Sequence, residues 1–249
     1  MNNTLYVGLS RQMTLQRQMD VIANNLANTD TAGFKVESIM LGEDAQAPAG
    51  HKLSSTGKPA DPIAFVYDTG LARNFAQGSL KQTGAPFDLG LQGDGFFQVQ
   101  TPDGVRFTRD GRFSLNATGQ LTDVSGAAVL GTGGSPIVVD PQKGPPTIAH
   151  DGTVSQQGQV IGKVGVFRFA DRSSLSKTGS SQYDAGGQTP LAATDTKVEQ
   201  GMIENSNVDP IKMMTQMISV SRAYEQVANM MDQTGSNSDQ SIQRLGRVN

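Results

Sequence analysis

The chain has no cysteine, no tryptophan and only two histidines. Without cysteine there is no disulfide, no thiolate nucleophile and no Cys-ligated zinc. That composition suits any redox compartment. His51 sits in a polar stretch and His150 before an Asp-Gly pair; neither has a second histidine at metal-ligand spacing, so both read as surface residues. No run of about 18 apolar residues occurs, so no membrane-spanning segment is expected. The opening MNNTLYVGLSRQMTLQRQMD lacks the basic start and apolar core of a secretory signal, so any passage out of the cytoplasm is expected to use another route. Charge is sparse, at 17% of residues with a net of -3. Lys and Arg are scattered singly, as in Arg106, Arg109 and Arg112, which read as solvated strand faces. There is no electrostatic footprint for nucleic acid.

Glycine, by contrast, is abundant, with 29 in 249 residues. High glycine with few aromatics points to tight turns and short strands through the middle of the chain. The length is enough for one large domain or two modest ones.

Both ends break from that pattern. Residues 1–28 read as a helix. Met1, Leu5, Gly8, Gln12, Leu15, Met19, Ile22 and Leu26 alternate spacings of four and three, a period that keeps one seam facing a partner helix. Arg11, Gln16, Arg17, Gln18 and Asp20 fill the other faces. The helix should stop near Asn28, because Thr29-Asp30-Thr31-Ala32-Gly33 is turn chemistry, with Phe34 an apolar anchor beyond it. At the far end Asp209 is a good N-cap and Pro210 suits the first helical position. Met213, Met217, Val220, Tyr224, Val227 and Met231 repeat the seam. The register runs on through Thr234, Ser238, Ser241, Leu245 and Val248, with fraying expected over 235–241. Two such helices so far apart in sequence pair either by closing the chain on itself or by meeting other copies. A narrow seam barely offsets an ordering cost of about 1–2 kcal/mol per residue, so mobile ends are expected until partners cover them.

Between the helices, residues 43–62 are rich in Ala, Gly, Pro and Ser without periodicity and read as a connector. From Phe96 onward a β-meander is expected. Phe96–Gln100, Val105–Arg109 and Arg112–Leu115 alternate, with Phe107, Phe113 and Leu115 inward and Arg outward. Further strands are expected at Ile137–Val139, Gly152–Ser155 and Val160–Ala170, with Val164, Val166 and Phe169 facing a core.

No catalytic set can be assembled. Asp94-Gly95, Asp103-Gly104, Asp110-Gly111 and Asp151-Gly152 read as turn pairs, since calcium needs six or more converging oxygens. Gly93-Asp94-Gly95 lacks the third glycine of a dinucleotide loop, and Gly131-Thr132-Gly133-Gly134 lacks the Lys-Ser/Thr of a phosphate loop. The chain is expected to be no enzyme and to bind no cofactor or metal.

Several blocks together carry a resemblance. Ala23-Asn24-Asn25-Leu26-Ala27-Asn28-Thr29, then Ala32-Gly33-Phe34-Lys35, resembles the N-terminal signature of the flagellar rod and hook proteins. Gln82–Leu89, Gly93–Phe97, Phe107–Phe113 and Gly119–Leu121 resemble that family's β domain. Asp151–Val154 and Gly201–Val208 resemble later blocks, and Arg222-Ala223-Tyr224-Glu225 an Arg-x-Tyr-Glu on its C-terminal helix. The opening Leu5–Met13 is similar to the proximal rod type, the distal rod type being the alternative, and the modest length fits these better than the larger hook protein. The resemblance implies a subunit of the torque-transmitting shaft in the periplasm, exported unfolded through the flagellar type III apparatus. Its partners would be other copies and other rod proteins in a helical assembly. Its terminal helices would pack with those of neighbours, with the β domain outside. Asn24, Asn25 and Asn28 would then supply amide hydrogen bonds between helices or cap the helix end. Arg222 and Glu225 would pair across subunits or lie on a solvated face.

The expected architecture is α+β: a discontinuous helical coiled-coil domain from both termini with an inserted β-rich domain. The expected boundaries are 1–34, 35–80 for the connector, 81–205 for the β domain, and 206–249. The rival is a stand-alone β-rich binding or adhesin-like module whose helices pack locally.

Overall fold

In the computed structural model the described residues are 2–46, 63–179 and 181–245. Met1, His51, Val248 and residues 47–62 of the expected connector lie outside them. Helix α1, Asn2–Ala27, ends one residue before Asn28, where the sequence places its stop. The Asn28 carbonyl then accepts from Thr31 N at 3.2 Å. Helix α2, Pro210–Leu245, starts as the sequence indicates. The Asp209 carboxylate accepts from the amides of Ile211 and Lys212 at 3.0 and 3.2 Å, satisfying donors that no helical carbonyl can reach. The helix does not break at Gly235 but continues to Leu245.

The chain divides into two compact units. The first joins both helices with residues 37–72. Strands β1 (Glu37–Gln46) and β2 (Ile63–Arg73) form a two-stranded ladder there. Residues 43–46, read from sequence as connector, are thus the end of a strand whose composition hides its pairing.

The second unit comprises residues 28–36 and 73–208. The Thr29–Phe34 turn, grouped by sequence with α1, belongs here, because Ala32, Phe34 and Lys35 are buried in it. Within this unit β3 (Leu80–Gln82) pairs with Met202–Glu204, and β4 (Leu89–Gln92) pairs with Lys197–Gln200. Strands β5 (Phe96–Thr101) and β6 (Gly104–Thr108) form the central hairpin. The meander stops there. The other neighbour of β6 is Gln182–Asp184, while Ser114–Leu115 pairs with Leu121–Thr122. Alternation finds strands but not their neighbours.

Both faces of the central hairpin are covered, which explains Phe96 and Phe97 in succession. Phe97 joins Leu89, Leu91, Val99, Phe113 and Val129 in one core. Phe96 points the other way, into an aromatic cluster with Phe75, Phe107, Phe169 and Tyr183. Edge-to-face pairs such as Phe107–Phe169, at 4.8 Å between centroids, hold that cluster. Two of the Asp-Gly pairs are not hairpin turns. Gly111 crosses β4 so closely that a Cβ would fall 1.7 Å from the Leu89 carbonyl oxygen. At Gly95 a Cβ would fall 2.8 Å from Val166. The other two behave as read, with positive φ at Gly104 and Gly152.

Candidate assembly helices and a buried ion cluster

The two terminal seams meet inside one chain. A Cβ on Gly8 would fall 2.9 Å from Met231 Cγ, and Asn25 Nδ2 lies 3.8 Å from Met213 Sδ. These two contacts, at opposite ends of the pair, make α1 and α2 antiparallel. Leu15, Ile22 and Met213 are buried, and Met19, Leu26, Met217, Val220, Tyr224, Val227 and Met231 are half-buried. The Leu5 side chain lies outside the described set. The sequence reading missed Thr14 and Val21, which are also buried. It also left polar the faces that hold Tyr6, Leu9 and Met13 on α1 and Ile211, Met214 and Ile218 on α2, all exposed. Arg222 and Glu225 lie on the exposed side of α2.

The asparagines separate by role. Asn25 is 1% exposed. Its Oδ1 accepts from Glu37 N at 2.9 Å and its Nδ2 donates to Glu37 O at 2.7 Å. The side chain thus stands in for a neighbouring strand, satisfying both backbone groups of the first β1 residue. Asn28 Oδ1 accepts from the Thr31 hydroxyl at 3.1 Å, so it shapes the turn. Asn24 is exposed. Replacing Asn25 with Ala removes these two hydrogen bonds to the Glu37 backbone and is expected to lower the stability of the helical unit by about 2–4 kcal/mol. Asn25→Asp, which keeps one acceptor but buries a carboxylate and sets an oxygen against the Glu37 carbonyl, should lose at least as much at neutral pH. Urea unfolding followed by far-UV circular dichroism measures both.

In the β unit Arg109, which the sequence reading placed on a solvated strand face, belongs instead to a buried site. Arg109, Lys35 and Glu204 form a buried ion cluster, with side chains only 1–2% exposed. Glu204 Oε1 accepts from Lys35 Nζ at 2.5 Å and from Gly78 N at 2.8 Å. Its Oε2 accepts from Arg109 Nη1 at 2.9 Å. Lys35 Nζ also donates to the Ala76 carbonyl at 2.8 Å, and Arg109 Nη2 to the Gly93 carbonyl at 2.7 Å. Arg109 Nε is buried without a hydrogen-bond partner among the described residues. Burial pushes the Lys35 ammonium below its ordinary value; Glu204 pulls it back up, and Arg109 lowers it again. Arg109 is lowered by the same desolvation, with Glu204 opposing. Beside the cluster, Asn207 accepts from Val36 N at 2.8 Å and donates to the carbonyls of Asn74 and Ala76.

Chemically this is a clamp and not a reaction centre. Its polar atoms face one another, and among the described residues no group of three His, Cys, Asp or Glu could hold a metal. His150 Nδ1 lies 3.1 Å from Glu199 and is well exposed. Among the described residues no helix is long and apolar enough to cross a membrane.

Three family signatures match the chain. They are "Flagella basal body rod protein" over residues 5–35, "Flagellar hook protein FlgE/F/G D1 domain" over 90–160, and "Flagellar basal body rod FlgEFG protein C-terminal" over 199–244. The "Flagellar basal-body rod protein FlgF" of Caulobacter vibrioides is 46% identical over 250 residues, spanning 100% of both chains. The chain belongs to the flagellar basal-body rod protein family. Another relative, the protein of the same description from Mesorhizobium japonicum, is 41% identical over 99% of each chain. The "Flagellar basal-body rod protein FlgG" of Bacillus subtilis is 30% identical over 98% of each. In this family member each matched segment supplies one member of the ion cluster: Lys35, Arg109 and Glu204 respectively.

Proposed function

We propose that the chain is a structural subunit of the flagellar basal-body rod, of the proximal type, and not an enzyme. The observation that carries this is the end-to-end similarity to a rod protein, 46% identical over both full lengths. The helical hairpin made from the two extremities of the chain supports it. Relatives named FlgG match at 30–33%, below the 46% and 41% of two named FlgF, which favours the proximal (FlgF) over the distal (FlgG) type. In this reading the subunit leaves the cytoplasm through the flagellar type III apparatus and takes its place in the periplasmic shaft. There it packs against other copies and other rod proteins through its helical unit and transmits torque through those contacts. No cofactor takes part. Arg222 and Glu225, on the exposed side of α2, are available for ion pairing with a neighbour.

The test is a strain that lacks its own copy and is supplied with Leu15→Asp. A charge in the middle of the inner seam should dissolve the hairpin, abolish rod assembly and stop swimming. The purified variant should still show cooperative unfolding of its β unit. Normal swimming with Leu15→Asp would sink the reading and favour a β-rich binding module with dispensable helices.

A further inference from the structure

We propose that Tyr6, Leu9 and Met13 at one end of the helical hairpin dock on Ile211, Met214 and Ile218, at the other end, of a second copy of this chain. The inference rests on the hairpin being the assembly module, and names which of its surfaces meet.

The six side chains are between 47% and 76% exposed. They form two patches of the same design, each spaced three then four residues and so about 10 Å long. Each row turns polar just beyond its patch, through Gln16 and Asp20 on α1 and Ser221 and Glu225 on α2. Neither row belongs to the inner seam. At 100° per residue each lies roughly 130° around its helix from that seam, in the same rotational sense on both helices.

In an antiparallel pair that symmetry puts both patches on one face of the hairpin, on opposite flanks and at opposite ends. The Gly8–Met231 and Asn25–Met213 contacts fix the levels. Met214 is level with the neighbourhood of Asn25, about 22 Å along the axis from Leu9. A single hairpin therefore cannot bring its own two patches together. A second copy beside it, staggered by about 22 Å, can.

That placement leaves helix directions unchanged, so α1 of one copy runs antiparallel to α2 of the next. Tyr6 then faces Ile218 and Met13 faces Ile211. Because both patches lean toward one face, successive copies turn as they climb. A row of copies keeps one patch free at each of its ends, which is the open, heterologous contact of a curved wall rather than a closed dimer. Three side chains from each partner make a contact far smaller than the roughly 1,200 Å² of a stable pair. It is therefore weak between two copies in solution and becomes strong only when many repeat in an array.

Covalent trapping tests this in the full chain, whose lack of cysteine makes every introduced thiol unique. Leu9→Cys and Met214→Cys chains, mixed and oxidised at high concentration, should give the mixed dimer in several-fold excess over either homodimer. The double variant should give a ladder of covalent multimers. A Leu9→Cys and Ser219→Cys mixture, with the second thiol off the patch, should give only background. Dominant homodimers, an intrachain disulfide in the double variant, or a mixed dimer no more abundant than this control would overturn the proposal. Light scattering of the unmodified chain separates the two levels of inference. Concentration-dependent growth without the Leu9–Met214 bond removes this contact and leaves the assembly reading standing. Absence of any self-association, together with normal swimming by the Leu15→Asp strain, removes both.

Discussion

Glu204→Gln should be the most damaging single-atom exchange in the β unit, with an expected loss of about 3–5 kcal/mol. The carboxylate is 1% exposed and accepts from Lys35, Arg109 and the Gly78 amide at once. The amide keeps the volume and one acceptor but removes the only negative charge from between two buried cations. A buried ion pair contributes little relative to a well-packed apolar equivalent, yet breaking it by removing one partner leaves uncompensated charge in low dielectric. A pH profile separates this cause from simple loss of packing. Lys35 is already lowered from its value of 10.5 by burial, and Glu204 is the largest influence raising it. In Glu204→Gln that influence is gone, so the folded-state value falls further below the unfolded one. Between those two values the unfolded chain binds more protons than the folded chain, so stability must rise with pH. Denaturant midpoints of the variant should therefore recover as pH is raised from neutral toward 10, over a wider window than in the parent. A loss that stays constant across that range would mean packing, not charge, is responsible. Lys35→Met in the Glu204→Gln background should restore part of the stability, since it removes the stranded cation.

Much of the helical unit could be read from residue spacing, because seams at alternating three and four residues have one good solution. The Thr29–Gly33 turn and the Asp209-Pro210 start were equally visible. The partner of each seam was not. Leu15 and Val220 look the same whether they face the other helix of their own chain or a neighbouring molecule. The outer patches escaped notice because three apolar residues among polar ones do not establish a period. Arg109 is more instructive. Period-2 alternation puts it on the same side as Phe107, the inward side, and Arg106 on the opposite one. The pattern therefore indicated a buried arginine, but the usual preference of arginine for the surface outweighed it. Its partner Glu204 lies 95 residues away, beyond any local pattern. Likewise the second neighbour of β6 is Gln182–Asp184, a pairing that no hairpin turn announces.

Gly33→Ala should be nearly as severe, costing roughly 3 kcal/mol or more, and for a different reason. Gly33 has φ of +67°, where an L-residue with a Cβ is strained by about 1–2 kcal/mol. That alone would be tolerable. The larger obstacle is space. A Cβ at this position would lie 2.4 Å from the carbonyl carbon of Arg109, 2.5 Å from Asp110 N and 2.6 Å from the Arg109 carbonyl oxygen. All three are backbone atoms, so no side-chain rotation relieves the overlap. Moving the turn away would stretch the Gly33 N to Glu204 O hydrogen bond of 2.8 Å and draw Lys35 off the Glu204 carboxylate two residues on. Gly33→Asn distinguishes the two causes. Asparagine accepts the left-handed conformation far better than alanine, but it carries the same Cβ. If overlap governs, Asn and Ala variants should melt together, well below the parent. If backbone strain governs, Asn should recover most of the loss. The structure requires the first outcome, because Gly33 is where two main chains pass each other within van der Waals contact, and only a residue with no side chain lets Lys35 reach the ion cluster.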